Sequence, residues 1–311
     1  MPDMPDAADM PDVPHAADAA YVPTTIPEPS RGGRIRATRL VLFTGAWALG
    51  LLGLAFALPW PHGGDRLMYW STVGQPLYHN AVFTLADFLY SPAAAQALYP
   101  LSLLPWTVFW AIFALAGAVT FAWLLAPLGW ALGPPLFLAV LPIAIDGNLE
   151  WLIALVVVFG FRVPGLWAIP LLTKVSPGVG LLWFAVRREW RPLAIALGTT
   201  VVVAGVSFVY APSLWFDWFG MLRENAQSRG EGWSLLPIPL IWRVVLAAVI
   251  IGWGARTDRR WTLLVGGMLA RPDLLLAELA MLAALPRLRV PRVAPQLATA
   301  SANLTARAPS S

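Results

Sequence analysis

The stretch Pro164–Trp183, PGLWAIPLLTKVSPGVGLLW, decides how the chain lies. It is apolar enough for a bilayer, yet Lys174 and Pro177 stand at its middle, and arginines bracket it: Arg162 before, Arg187, Arg188 and Arg191 after. A single crossing would put basic groups on both faces of the membrane, against their bias toward the cytoplasmic side. Proline removes a helix hydrogen bond, and Gly178 loosens the chain further. Two short helices, about 164–173 and 178–186, that fold back at Lys174–Pro177 keep every arginine inside and the apex near the outer face. Irregular backbone at that depth is tolerated only where protein or a cavity lines it. One plain crossing per segment is the alternative.

The same logic recurs near the C-terminus. Arg256, Arg259 and Arg260 precede the apolar segment 261–286, Arg287 and Arg289 follow it, and Arg271-Pro272-Asp273 interrupts it. A second hairpin with an outward apex satisfies the charge rule. Upstream, Arg31, Arg34, Arg36 and Arg39 precede a run from Leu40 to Trp60 without one charge, which places the N-terminus in the cytoplasm and Asp65 outside. A mixed external loop (61–100) carries Asp87 and leads to spans at about 101–125 and 127–145. The second of these ends in DGNLE, Asp146 to Glu150, before a short apolar piece, 151–161. A span at 193–211, an external loop at 212–236 and a span at 237–254 complete the path.

Composition agrees. The chain is 58% hydrophobic and 12% charged, with a mean hydropathy of +0.66, against roughly a quarter charged in a soluble domain. The fold class expected is an all-α integral membrane bundle of about 8–10 membrane segments, including the two short-helix hairpins. The apolar runs are continuous rather than alternating, which argues against a β-barrel. The organisation expected is a disordered cytoplasmic tail at 1–39, a polytopic domain at 40–286 and a second tail at 287–311. The net charge of +4 follows membrane topology, so no nucleic-acid partner is expected. The chain has no cysteine, and His15, His62 and His79 show no ligand spacing, so neither a metal nor another cofactor is expected.

Several residues can carry chemistry. Asp65, behind a Gly-Gly turn, can take a proton from a sugar hydroxyl; the plainer reading pairs it with Arg66 at a helix end. Lys174 is the only lysine in the chain, and an ammonium inside an apolar segment faces a cavity or a partner. That partner can be a lipid phosphate, or the lysine can snorkel to the outer headgroups. The acids of DGNLE can orient an acceptor or bind a cation, or form a solvated loop. Arg271 can bring a second cation to a phosphate or pair internally with Asp273. Asp217, between Trp215 and Trp218, fits a sugar-stacking surface and equally an aromatic interface belt.

The serial order of these features resembles the GT-C superfamily of integral membrane glycosyltransferases, and within it glycosyltransferase family 87, the polyprenol-phosphate-mannose-dependent mannosyltransferases of bacterial envelopes. The features are Asp65 with Tyr69, then LYSPAAAQALYPLSLLP, DGNLEWLIALVVVFGF, the stretch around Lys174, RREWRP and YAPSLWFDWF. The departures are Asp146-Gly147-Asn148, where relatives carry Gly-Gln-x-Asn, and Asp273 in place of a His or Tyr. The resemblance implies transfer of a hexose, mannose in that family, from a polyprenyl-phosphate sugar donor to a glycolipid or glycan acceptor. The reaction would run at the outer face of a bacterial plasma membrane, among membrane lipids, with both termini cytoplasmic. By the same resemblance Asp65 is the general base and Lys174 and Arg271 bind the donor phosphate. Tyr69, Asp146, Asn148, Trp215 and Asp217 then line the substrates. A transporter or flippase of lipid-linked or small polar solutes, or a non-catalytic membrane subunit of envelope assembly, are the alternatives.

Overall fold

The structure, a computed structural model, describes residues 31–57, 64–70, 72, 77–78, 88–228, 236–272 and 276–288. Every element among them is helical. In chain order they are α1 (Arg31–Ala57), α2 (Gly64–Trp70), α3 (Pro92–Ser102), α4 (Trp106–Leu125), α5 (Gly129–Asp146) and α6 (Glu150–Phe159). A 3-10 turn at Pro164–Trp167 leads into α7 (Ala168–Leu172), and another at Ser176–Leu181 into α8 (Leu182–Val186). Then come α9 (Trp190–Tyr210), α10 (Pro212–Ser228), α11 (Leu240–Arg256) and α12 (Thr262–Leu269). A 3-10 stretch at Leu276–Ala284 ends in α13 (Leu285–Leu288). Of the tails expected at 1–39 and 287–311, residues 1–30 and 289–311 lie outside the described residues, as do His62, His79, Asp87 and Asp273. Residues 31–39 are not disordered but form the start of α1, and 287–288 end α13. Among the described residues, those from Phe43 onward form one compact unit and 31–42 fall outside it.

Three stretches are long and apolar enough to cross a membrane: Thr38–Ala55, Trp106–Asp146 and Trp190–Tyr210. The middle one is two helices. A short 3-10 turn ends at Gly129, whose φ of +68° suits a residue without a Cβ. It reverses the chain so that α5 runs back along α4: Gly117 faces Ala144 and Gly133 faces the Leu125 carbonyl. The outer surfaces of α9 and α11 expose Val201, Val206, Val209, Ile241 and Val249. Such continuous apolar surface is stable against lipid tails and not against water. This is an all-α membrane protein.

Both broken segments are helical hairpins. The first breaks at Thr173–Val175, between α7 and the next 3-10 turn. The second breaks after α12, at Arg271-Pro272. Their far ends meet as well, where Arg187 Nη1 donates to the Ala255 carbonyl at 3.0 Å and to Asp258 Oδ1 at 3.3 Å. One end of the bundle therefore holds Arg187 and Asp258, and the other holds both apices. At that first end α11 and α12 pack so closely that a Cβ on Gly254 would collide with Thr262.

The connecting segments are more ordered than loops. Residues 212–236, expected as an external loop, contain α10. Trp215, Trp218 and Met221 recur on one face of it and are buried, while Phe216, Asp217 and Phe219 are exposed. The segment 61–100 likewise contains α2 and the start of α3, which Ser91 caps by accepting from the Ala94 amide. The main core gathers Phe121, Ile153, Trp167, Trp183, Leu264 and Met281. A second core, with Tyr69, Phe88, Tyr90, Phe109 and Phe113, lies beneath α2.

In α1, Gly50 and Gly53 sit against the backbone of Pro135 and Ala139 in α5, the close approach that small residues permit between membrane helices. A Cβ on Gly50 would overlap the Pro135 carbonyl, whereas one on Gly45 meets nothing within 4 Å. Gly50→Val is therefore expected to cost about 1–3 kcal/mol in thermal unfolding in detergent, and Gly45→Val to be nearly neutral. Equal effects would contradict this packing.

Candidate active site

The site is built around one carboxylate. Helix α5 ends at Gly147, whose φ of +85° is the left-handed conformation glycine adopts without strain. The Asn148 amide then donates back to the Ile143 carbonyl at 3.2 Å. This turn presents Asn148 and places Glu150 at the first position of α6, where the helix dipole favours negative charge. Glu150 is 0% exposed. Its Oε1 accepts from Lys174 Nζ at 2.7 Å and from Arg271 Nη1 at 2.6 Å. Lys174 also donates to Asn148 Oδ1 at 2.8 Å, and Arg271 Nη2 pairs with Glu278 Oε1 at 2.9 Å. Both hairpin apices thus converge on α6 through ions shielded from solvent.

The first apex is bent to do this. Val175 has a φ of +41° and a ψ of −50°, and the Ser176 amide donates to the Lys174 carbonyl. That is a three-residue turn with positive φ, rare and strained for a β-branched residue. The surrounding contacts hold it: the Leu172 carbonyl accepts from both the amide of Ser91, at 3.2 Å, and its hydroxyl, at 2.6 Å.

Asp65 opens α2 at the same end of the bundle. Tyr69 Oη donates to Asp65 Oδ2 over a long 3.5 Å, and the hydroxyls of Tyr69 and Tyr90 lie 3.0 Å apart. Burial raises the Asp65 pKa above the ordinary 3.8, while the charges of Lys174 and then Arg271 pull it back down. Burial also raises the Tyr69 hydroxyl well above its usual value and Tyr90 to about 12. Both phenols are therefore neutral donors near pH 7. The arrangement is a carboxylate with a hydroxyl relay behind it, in the field of two buried cations.

Of the residues singled out in the sequence, Asp65, Tyr69, Asn148, Lys174 and Arg271 come together. The Asp146 charge is also felt at Tyr69. Trp215 is buried, its indole donating to Ser207 Oγ at 3.1 Å, and Asp217 is exposed on the same helix. Three residues at or beside the apices were not expected: Tyr90, Glu278 and Arg243, whose Nη2 donates to the Pro272 carbonyl at 3.0 Å. Tyr90 has only its aromatic character in the sequence. Glu278 and Arg243, by contrast, are ionisable residues inside apolar segments, which is itself a signal of a buried partner or a function. Among the described residues no group of three or more His, Cys, Asp or Glu side chains could hold a metal ion.

The family model of glycosyltransferase family 87 matches residues 88–307, more than half of the chain. That match includes Glu150, Lys174, Arg271 and Glu278 and begins after Asp65. No curated protein and no solved structure matches the chain.

Removing one member of a buried ionic group leaves the others uncompensated. Glu150→Ala is expected to cost about 3–5 kcal/mol in thermal unfolding in detergent. Glu189→Ala, which breaks the partly exposed pair of Arg187 and Glu189, is expected to cost under about 1 kcal/mol. Equal losses would mean that Glu150 is not the hub.

Proposed function

Because the chain belongs to glycosyltransferase family 87, a membrane glycosyltransferase family, we propose that it moves a hexose, mannose first among candidates, from a polyprenyl-phosphate donor to an envelope glycolipid or glycan. The reaction runs at the outer face of a bacterial plasma membrane, with both termini in the cytoplasm. The observation that carries this reading is the convergence of Asp65 with the ions at the two hairpin apices. A transferase needs a base for the acceptor and positive charge for the departing phosphate, and both are gathered at one end of the bundle.

In the proposed step the acceptor hydroxyl gives its proton to the Asp65 carboxylate as its oxygen attacks the sugar's anomeric carbon. The bond from that carbon to the phosphate oxygen breaks, and its electron pair leaves with polyprenyl phosphate. A single displacement inverts the anomeric centre and needs one carboxylate base. Tyr69 donates to Asp65 and orients it. Lys174 and Arg271 set a positive potential where the phosphate gains charge. Asp146 and Asn148 border the donor sugar, and Asp217 on the exposed face of α10 faces the acceptor, with Trp215 packed on the opposite, buried face.

The test is glycosyl transfer in proteoliposomes from labelled polyprenyl-phosphate-mannose, comparing the native chain with Asp65→Asn. A loss of about 10²–10⁴-fold with protein level unchanged is expected. Equal transfer by both proteins would remove Asp65 from the mechanism, and transfer by neither, across several sugar donors, would favour a transporter or a structural subunit. A base works deprotonated, so kcat/KM rises with pH through the Asp65 pKa, above the ordinary 3.8. Tyr69→Phe removes a hydrogen bond that favours the carboxylate, so its acid limb is expected at higher pH than in the native protein.

A further inference from the structure

Taken by themselves the ions paired around Glu150 balance, and Asp65 adds a third carboxylate to the field of Lys174 and Arg271. Lys174 and Arg271 bring two positive charges, Glu150 and Glu278 two negative ones, and each cation is in contact with a carboxylate. A phosphodiester arriving there adds a negative charge that these pairs do not compensate. Arg243 stands apart. It is 3% exposed, its Nη2 donates to the Pro272 carbonyl at 3.0 Å, and its Nε and Nη1 are buried with no hydrogen-bond partner. A guanidinium stays protonated even when buried, so among the described residues Arg243 is a cation without a counter-ion.

Its position makes the imbalance larger. Arg243 lies in the first turns of α11, where the helix dipole disfavours a positive charge and favours a negative one. An uncompensated buried ion is strongly destabilising, and holding one carbonyl does not require a guanidinium. The Pro272 turn that it binds is next to Arg271, so Arg243 belongs to the same apex as the balanced ions. Pro272 itself is exposed.

We infer that Arg243 is an oxyanion-binding residue that takes a phosphodiester oxygen of the polyprenyl-phosphate sugar on one of its two unpartnered groups, Nε–H or Nη1–H. The inference rests on the proposed transferase reading and adds a residue to it. These two N–H groups diverge on either side of Nη2, which the Pro272 carbonyl holds, so either can give one charge-assisted hydrogen bond to a phosphate oxygen. Arg243 then supplies a positive charge that is not already paired with a carboxylate, beside the paired Lys174 and Arg271. A bilayer phospholipid presents the same phosphodiester chemistry and is the competing source.

The experiment uses the purified full chain in lipid-free detergent micelles. Binding of polyprenyl phosphate is compared with polyprenol, with phosphatidylglycerol as competitor, and transfer is assayed in the same preparations. The native protein is expected to prefer the phosphate over the alcohol by roughly ten- to a hundredfold, the range of a charge-assisted contact. Arg243→Gln is expected to lower that preference by roughly tenfold without lowering the melting temperature of the ligand-free protein. Arg243→Lys is expected to keep part of it, and Asp65→Asn all of it. If Arg243→Gln does not fold, Arg243→Met, which fills the same space without a polar group, carries the test. An unchanged preference in either variant, or a native protein that does not distinguish phosphate from alcohol, overturns the site. Equal displacement by phosphatidylglycerol assigns it to a bilayer headgroup and overturns the donor assignment. Arg243-dependent phosphate preference without any transfer leaves this site standing and removes the proposed reaction instead.

Discussion

An ion inside an apolar bundle is costly without a counter-ion beside it, and in this protein Glu150 supplies one for two hairpins at once. Lys174 from one apex and Arg271 from the other approach the same carboxylate oxygen, at 2.7 and 2.6 Å. Each cation would be costly alone, so neither apex is free to settle elsewhere. The broken segments around Pro177 and Pro272 follow from this demand. Short helices that stop at the apex deliver a charged residue that an unbroken crossing would carry past it.

The strained turn at Val175 and the Gly147 cap serve the same convergence from opposite sides. One turns Lys174 toward α6, and the other starts α6 with Glu150 at the end of the helix where a carboxylate is favoured. Asp65 and the two tyrosines then sit within the field of these ions. The acid's proton affinity reflects a balance between burial and nearby positive charge. At the far end, Arg187 joins Asp258 and the Ala255 carbonyl, which closes the two hairpins where they return.

Much of this architecture was legible in the sequence because charge and proline act locally. The arginines flanking 163–186 and 261–286, with a proline and a charge in the middle of each, sufficed to place both hairpins. The helices α4, α5 and α9 follow from apolar length alone. What could not be read was pairing across the chain. Nothing near Glu150 indicates that it meets Lys174 and Arg271, and nothing near Arg271 points to Glu278. The segment 212–236 reads as an aromatic loop because α10 buries only one narrow face, Trp215, Trp218 and Met221, while exposing charge and aromatics on the others. Tyr90 joins Tyr69 across 21 positions, a contact that only the packing of α2 on the chain before α3 creates.

The central claim is that both apices lie on one face of the membrane and both hairpin bases on the other. The chain has no cysteine, so one introduced thiol is the only target for a membrane-impermeant maleimide in sealed cells. Single cysteines at Val175 and Pro272, both exposed, are expected to label from outside, and cysteines at Arg188 and Asp258 only after permeabilisation. Labelling of positions 175 and 272 from opposite sides, or of 188 from outside together with 175, would contradict the paired hairpins and the shared site they form.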